Sequence, residues 1–400
     1  MNLLFLTLSG INSIEDRGIY QDLLGKFRNE GHQITIVTPV ERRKGISTNF
    51  SVKEGVNILQ VKTLNITKTN FIEKTIGTLA IEYQFLSAIK KYGGNTKFDL
   101  VLYSTPPITF SKVIEFIKKR DNAYSYLLLK DIFPQNAVDL KMIKKGSWIH
   151  KFFVSKEKKL YKISDNIGCM SPSNVEFVLK NNPEILKSKV EVNPNSIEPI
   201  EVNYSADEKH AIRIKYGIPI DKKVLVYGGN LGKPQGLDFL LETILETKKK
   251  EAFFLIVGDG TEFQRINAWF EKYAPSNAKV LKRLPKEDYD KLLAACDIGL
   301  IFLHQDFTIP NFPSRLLSYL EMNKPILAVT DRITDIGSII EDNKCGYKVI
   351  SGNQVEMQKK IALLLNDNLI ELGLNGRKLL FNEYLVDKSY ELILNKTKHV

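Results

Sequence analysis

The sequence has little that could crosslink or chelate. Three cysteines among 400 residues, Cys169, Cys296 and Cys345, stand far apart with no C-x-x-C spacing. This argues against a disulfide framework or a zinc site and fits a reducing cytoplasm. The five histidines are scattered without metal-ligand spacing, so no metal is expected. No apolar run approaches the roughly 18 residues that a spanning helix needs. The apolar start "MNLLFLTLSG" has no basic residue and no small-residue cleavage site. It reads as a first strand and not as a signal peptide. The expectation is a protein that is soluble or lies on a membrane without crossing it. Acidic residues are outnumbered, 46 against 57 basic ones, for a formal net charge of +11. That excess points to anionic partners: a nucleotide, a phospholipid surface or a nucleic acid. No RNA-recognition, KH, helix-turn-helix or zinc-finger signature occurs, so nucleic acid is not expected among them.

What the chain does have is rhythm. "NLLFLTL", "ITIVTP", "DLVLYS", "YSYLLLK" and "NIGCMS" in the first half are short apolar runs. "KVLVYGG", "AFFLIVGDG", "CDIGLIFL" and "PILAVT" repeat the style in the second half. Amphipathic stretches such as 19–30, 237–249 and 286–295 separate them. Continuous apolar strands alternating with helices imply a parallel α/β arrangement with both sheet faces covered. The rhythm breaks at 193–205, "NPNSIEPIEVNYS", a polar stretch rich in Asn and Pro that reads as a linker. The fold class predicted is α/β with two doubly wound, Rossmann-like domains facing each other across a cleft. The first domain is placed at 1–197 and the second at 198–381. A C-terminal helix, 382–400, crosses back to the first. In such sheets ligands bind outside the carboxyl ends of the strands.

Three loops at those ends carry candidate chemistry. In "VLVYGGNLGKPQG", 224–236, a strand runs into Gly228-Gly229, then Asn230, Gly232, Lys233 and Gln235. Glycines there let backbone amides approach an anion, and the lysine adds charge. It is not a Walker A loop, because Tyr227 and Pro234 stand where that loop needs Gly and Ser or Thr. The second loop is "LIVGDG", with Gly258 and Asp259. The third is "NFPSRLLSYLEMNKP", where Ser314 reads as the N-cap of a helix whose first turn carries Arg315. A helix start with a cation favours a phosphate. Each loop alone also fits a plain turn or a capped helix.

Taken together, "GGNLGKPQGLD", "IVGDG", "LPKEDYDKLLAACDIGLI" and "FPSRLLSYLEMNKPILA" resemble, in order and spacing, GT-B glycosyltransferases of the retaining family 4 type. The similarity is strongest to bacterial surface-polysaccharide enzymes with a PSK/PSR signature. "GHQITIVTP" and "DIFP" at 131–134 look like the acceptor-domain landmarks of that group. The resemblance implies a nucleoside diphosphate sugar, expected to be a UDP-sugar, in the second domain. Gly229, Asn230, Lys233 and Gln235 would line the diphosphate. Gly258, Asp259, Arg283 and Leu284 would lie near the base. Pro313, Ser314, Arg315, Leu316 and Ser318 would meet the phosphates and sugar. Gly10, Gly18 and Asp131 would face the acceptor, a lipid-linked glycan in capsule- or O-antigen-like synthesis. Asp131, Lys233, Arg315 and Glu321 are the catalytic candidates, acting with retention and without a metal or other cofactor. Two departures from the pattern stand out. Asn230 and Gln235 replace an arginine and a lysine, and the family's two glutamates align with Pro310 and Ser318. Glu321, three residues on, could reach part of the same space. The departures keep two alternatives in play, a non-catalytic GT-B subunit and a GT-B sugar-nucleotide epimerase.

Two further stretches bear on partners. "DYD" at 288–290 matches the D-x-D of metal-dependent transferases, but it opens a helix, where acids favour the N-terminus. Residues 141–162 hold eight lysines and one acid, interleaved with aromatic residues. Lys144, Lys145, Trp148, Phe152, Phe153, Lys158 and Lys159 read as an interfacial helix on an anionic membrane. A solvated charged helix with a packed aromatic side fits equally. The implied location is the cytoplasm, peripheral at the inner face of the cell membrane.

Overall fold

The computed structural model describes residues 1–66, 71–94 and 96–398. It divides into two compact units, Met1–Glu198 with Val386–Val400, and Pro199–Leu385. Each unit is a parallel α/β sheet flanked by helices, as the alternation of apolar runs predicts.

The first unit begins with β1 (Asn2–Leu6), α1 (Ile19–Asn29) and β2 (Gln33–Glu41), followed by β3 (Asn49–Lys53), β4 (Val56–Thr63) and α2 (Phe71–Tyr92). It continues with β5 (Leu100–Ser104), α3 (Ser111–Asp121), β6 (Tyr124–Leu129), α4 (Gln135–Asp139), α5 (Trp148–Ile163), β7 (Asn166–Cys169), α6 (Pro172–Asn181) and β8 (Val190–Val192). The strand order is β3-β4-β2-β1-β5-β6-β7-β8. All neighbours are parallel except β3 and β4, an antiparallel hairpin that the sequence reading did not anticipate. β3 is an edge strand with little burial, so its residues lack the unbroken apolar character of the central strands. The last helix of the chain, α15 (Val386–Thr397), belongs to this unit. Its Val386, Tyr390 and Ile393 join Leu23, Leu24 and Phe27 of α1 and the first strands in one apolar core.

The second unit opens with α7 (Ala206–Tyr216), β9 (Lys223–Asn230), α8 (Leu237–Glu246), β10 (Ala252–Asp259), α9 (Phe263–Tyr273), β11 (Ala278–Lys282) and α10 (Lys286–Ala294). Next come β12 (Ile298–Phe302), α11 (Arg315–Glu321), β13 (Ile326–Thr330), α12 (Ile336–Asp342), β14 (Gly346–Ile350), α13 (Gln354–Asn366) and α14 (Leu369–Glu383). Ser205 and Glu208 start α7 with a reciprocal capping box, and Gly217 ends it at a φ of 62°. The strand order is β11-β10-β9-β12-β13-β14, with every neighbour parallel. The order reverses between β9 and β12, and that switch point is where such sheets open a crevice at their carboxyl edge. Among the described residues no helix is long and apolar enough to cross a membrane.

Candidate functional site

A parallel sheet puts every strand-to-helix loop on one edge, so the three candidate loops of the second unit converge. β9 and β10 stay paired to their tips, Gly229 opposite Gly258 and Asn230 opposite Asp259. Both positions call for glycine, Gly258 by contact and Gly229 by backbone conformation. A Cβ on Gly258 would lie 2.0 Å from the Gly229 carbonyl oxygen, and Gly229 itself has a φ of 128°. Beyond the tip, Leu231 N donates to Asp259 O at 3.0 Å. The turn at 233–235 follows, and Pro234 O accepts from His304 N at 2.9 Å, which ties it to the loop after β12. Lys233 is exposed on that turn, and no ion pair holds it among the described residues.

Arg315 comes to this edge from the other side. Its guanidinium carbon stacks 4.2 Å above the Tyr227 ring. A Cβ built on Gly229 would lie 3.4 Å from its Nη2. Nη1 is buried and has no hydrogen-bond partner, and no carboxylate pairs with the guanidinium among the described residues. Tyr227, fully buried at the end of the "VLVY" run, donates its hydroxyl to Asn230 O at 2.8 Å. The sequence reading missed it; the one clue was an aromatic hydroxyl in a buried strand, which must find a partner.

Several residues sit differently from the expectation. Ser314 precedes α11, but its side chain makes no cap hydrogen bond. Its hydroxyl is left exposed on the edge. Gln235 Oε1 accepts from Asn230 Nδ2 at 3.2 Å and Gly232 N at 3.1 Å. The two amide side chains that stand for charged ones therefore brace the turn from within. Glu321 is 1 % exposed and accepts from Ile200 N at 3.0 Å. It ends α11 with its carboxylate fastened to the segment before α7, one helix length from Arg315. Pro313, Leu316 and Ser318 flank Arg315, with Leu316 buried and Ser318 half-buried. Arg283 is exposed and Leu284 half-buried in the loop after β11. In the D-x-D, Asp288 lies 3.7 Å from Lys215 Nζ, and Asp290 is bonded to Lys286. His304 Nδ1 accepts locally from Asp306 N at 3.2 Å.

In the first unit, Gly10, Gly18 and Asp131 lie on the carboxyl edge of its sheet, after β1 and β6. Gly10 is exposed in the loop, and Gly18 immediately precedes α1. Both Asp131 carboxylate oxygens accept from Asn136 Nδ2, at 2.8 and 2.9 Å. Burial pushes this carboxyl up to about 6, with the Asn136 bond opposing the shift.

The basic stretch 141–162 is not one helix. α5 starts at Trp148, where the Ser147 side chain accepts from His150 N. Residues 141–146 are turns and bends. Lys158 and Lys159 are paired with Glu184 and Glu115 at 3.2 and 3.0 Å. Phe153 packs on Phe133, ring centroids 4.9 Å apart. Trp148 (78 % exposed), Phe152, Lys144 and Lys145 project outward.

Residues 208–378 match the family described as glycosyl transferases group 1. The chain is 23% identical over 375 residues to the probable glycosyltransferase WbjE of Pseudomonas aeruginosa, covering 94% of this chain and 92% of that one. It is 22% identical over 343 residues to the putative colanic acid biosynthesis glycosyl transferase WcaI of Escherichia coli, covering 80% and 82%. Among solved structures it resembles Anabaena Alr3699/HepE in complex with UDP and glucose, with a TM-score of 0.73, 13% identity and full coverage of both chains. These similarities support a GT-B glycosyltransferase.

Proposed function

We propose that the protein is a retaining glycosyltransferase that moves a sugar from a UDP-sugar to a lipid-linked glycan during surface-polysaccharide synthesis. The transferase itself is supported by the group 1 match and by relatives named as glycosyltransferases, one of them for colanic acid biosynthesis. A nucleotide sugar as partner is supported by neighbours bound to UDP or UDP-glucose.

One observation carries the donor site: the Arg315 guanidinium, laid over Tyr227 beside Gly229 with Nη1 buried and unpartnered. Burying a cation without an acid is costly unless an anion from outside completes it. A diphosphate is such an anion. It would take Nη1, the amides near Gly229 and the exposed Lys233. As the sugar leaves, negative charge grows on the phosphate, and preorganised donors there lower the barrier. Retention then follows from front-face attack, with the leaving phosphate assisting the acceptor's deprotonation and no metal in the scheme. Asp131, Gly10 and Gly18 would serve the acceptor. Glu321 has no direct part in this scheme, since its carboxylate is already engaged with Ile200.

The test is release of UDP from a panel of UDP-sugars with and without a lipid-linked acceptor. Release that requires the acceptor, with the sugar recovered on it in the α- or β-form it had in the donor, supports the reading. UDP binding without turnover on any acceptor favours a non-catalytic subunit, for which the absence of glutamate at Pro310 and Ser318 speaks. If Asp131 handles the acceptor proton, it acts as carboxylate. Transfer then falls as pH drops through about 6, and Asp131→Asn removes that descent along with most of the activity.

Peripheral membrane contact belongs to the same reading, with the outward cluster narrowed to Lys144, Lys145, Trp148 and Phe152. Replacing Lys144 and Lys145 by Glu and Trp148 by Ser should release the protein from anionic vesicles in co-sedimentation. Replacing the already paired Lys158 and Lys159 should not. Equal release by both sets would contradict the assignment.

A further inference from the structure

β9 and β12 flank the switch point of the second sheet, yet they pair at two positions only, Leu225 with Ile298 and Val226 with Gly299. On its other side β9 keeps its ladder to β10 from Lys223 to Asn230. A side chain of α11 marks where β9 and β12 part. Tyr319 is fully buried, and a Cβ on Gly299 would come within 2.5 Å of its ring. Its hydroxyl ends between the strands. It accepts from Gly228 N at 3.3 Å and lies 3.0 Å from Leu300 O and 3.2 Å from Val226 O. Gly299 N donates to Pro325 O on the β13 side, so the backbone groups of Leu300 face β9. In a continued ladder the next rung would run from the Gly228 amide to the Leu300 carbonyl. The Tyr319 hydroxyl stands in that rung, accepting from the amide and offering its own proton to a carbonyl.

We propose that Tyr319 is a positioning residue whose hydroxyl wedges β9 from β12 and holds open the crevice that receives the donor's phosphates. The proposal rests on the donor-site reading above. A direct rung would hold nitrogen and oxygen about 2.9 Å apart. The inserted hydroxyl roughly doubles that span without leaving a buried backbone group unpaired. Glycine at 228 and 299 is part of the same device. A Cβ at Gly228 would meet the Tyr289 hydroxyl at 1.8 Å, as one at Gly299 would meet Tyr319. The wedge also sets Arg315. One helical turn separates the two residues, so they share a face of α11. Anchoring Tyr319 in the sheet delivers the guanidinium over Tyr227 and Gly229.

Tyr319→Phe keeps the ring and its volume and removes only the hydroxyl. The amide and carbonyl then either close on each other or lose their partner, and either change moves Gly228–Gly229. Titration calorimetry with UDP, GDP and dTDP on wild type and Y319F is the experiment. The expected result is a dissociation constant at least tenfold higher in Y319F for the nucleotide that the wild type binds. Leu364→Ala, which truncates a fully buried core side chain of the same unit, should lower Tm at least as far and leave that constant within twofold. Y319F binding within twofold of wild type overturns the inference alone. A wild type that binds none of the three overturns the donor-site reading and the inference with it. Should Y319F fail to fold, the wild type decides. Labelling with 15N-glycine and carbonyl-13C tyrosine singles out Gly93, Gly217 and Gly228. The Gly228 resonance should move on adding UDP, and one that stays in place overturns the wedge.

Discussion

Replacing Arg315 by methionine should cut kcat/KM for the sugar donor by about 10²–10³, the usual effect of losing one preorganised donor to developing charge. UDP affinity should fall about 10- to 100-fold, as expected for a charge-assisted hydrogen bond worth roughly 1.5–3 kcal/mol. Stability should not fall with it. The guanidinium gains a cation–π contact with Tyr227, but Nη1 is buried without a partner. Methionine keeps the packing of the stem and removes the desolvated charge, so Tm should stay level or rise. Such a split, with function lost and stability kept, is the mark of a group held for a ligand. Arg315→Lys should recover only part of the loss, because an ammonium offers no planar fork to a diphosphate. Donor kinetics and a thermal melt on the same preparations check this. A large drop in Tm with UDP affinity intact would make Arg315 a structural residue.

Gly258→Ala should be the most damaging single methyl at the site. The new Cβ would fall 2.0 Å from Gly229 O and 3.1 Å from Leu231 Cγ. The first of these is backbone, paired in register and unable to swing aside. Relief requires moving the Gly229 peptide, the strand tip on which the donor reading depends. A cost of about 2–3 kcal/mol is expected for overpacking of this kind, about 4–12 °C in Tm for a unit of this size. UDP affinity should fall as well. Gly25→Ala is the contrast. It lies inside α1 with nothing within 4 Å of its Cβ position. That change should stabilise by about 0.5–1 kcal/mol. Thermal melts of the two variants read the difference, and a Gly258→Ala protein that melts like wild type would refute the packing argument.

What could be read from the sequence follows from how each feature earns its residues. Central strands such as "VLVYG" and "IGLIF" are buried on both faces, so they are apolar without interruption and were legible as parallel strands. The hairpin β3–β4 was not, because an edge strand needs no such run. Gly229 and Gly258 announced a close backbone approach, since a side chain at either would clash or strain. Arg315 was legible as a cation opening a helix. Its unpartnered nitrogen was not, because that depends on which acids fail to come near. Ser314 looked like a cap by residue type, and Glu321 like a polar residue on a helix face. In the fold the cap bond is not made, and the carboxylate is spent on Ile200 N. Tyr319 carried no signal, because in sequence it is one more aromatic residue in an apolar helix. Only the register of β9 against β12 shows that its hydroxyl replaces a rung.

The return of α15 to the first unit has a consequence for synthesis. Val386, Tyr390 and Ile393 complete the core around α1, yet they leave the ribosome only after the whole of the second unit. Residues 199–385 form an unbroken stretch and can close their own core while the nascent chain is still tethered. The half that emerges first must therefore wait, with its α1 face uncovered, until the whole second unit has been made and α15 follows it.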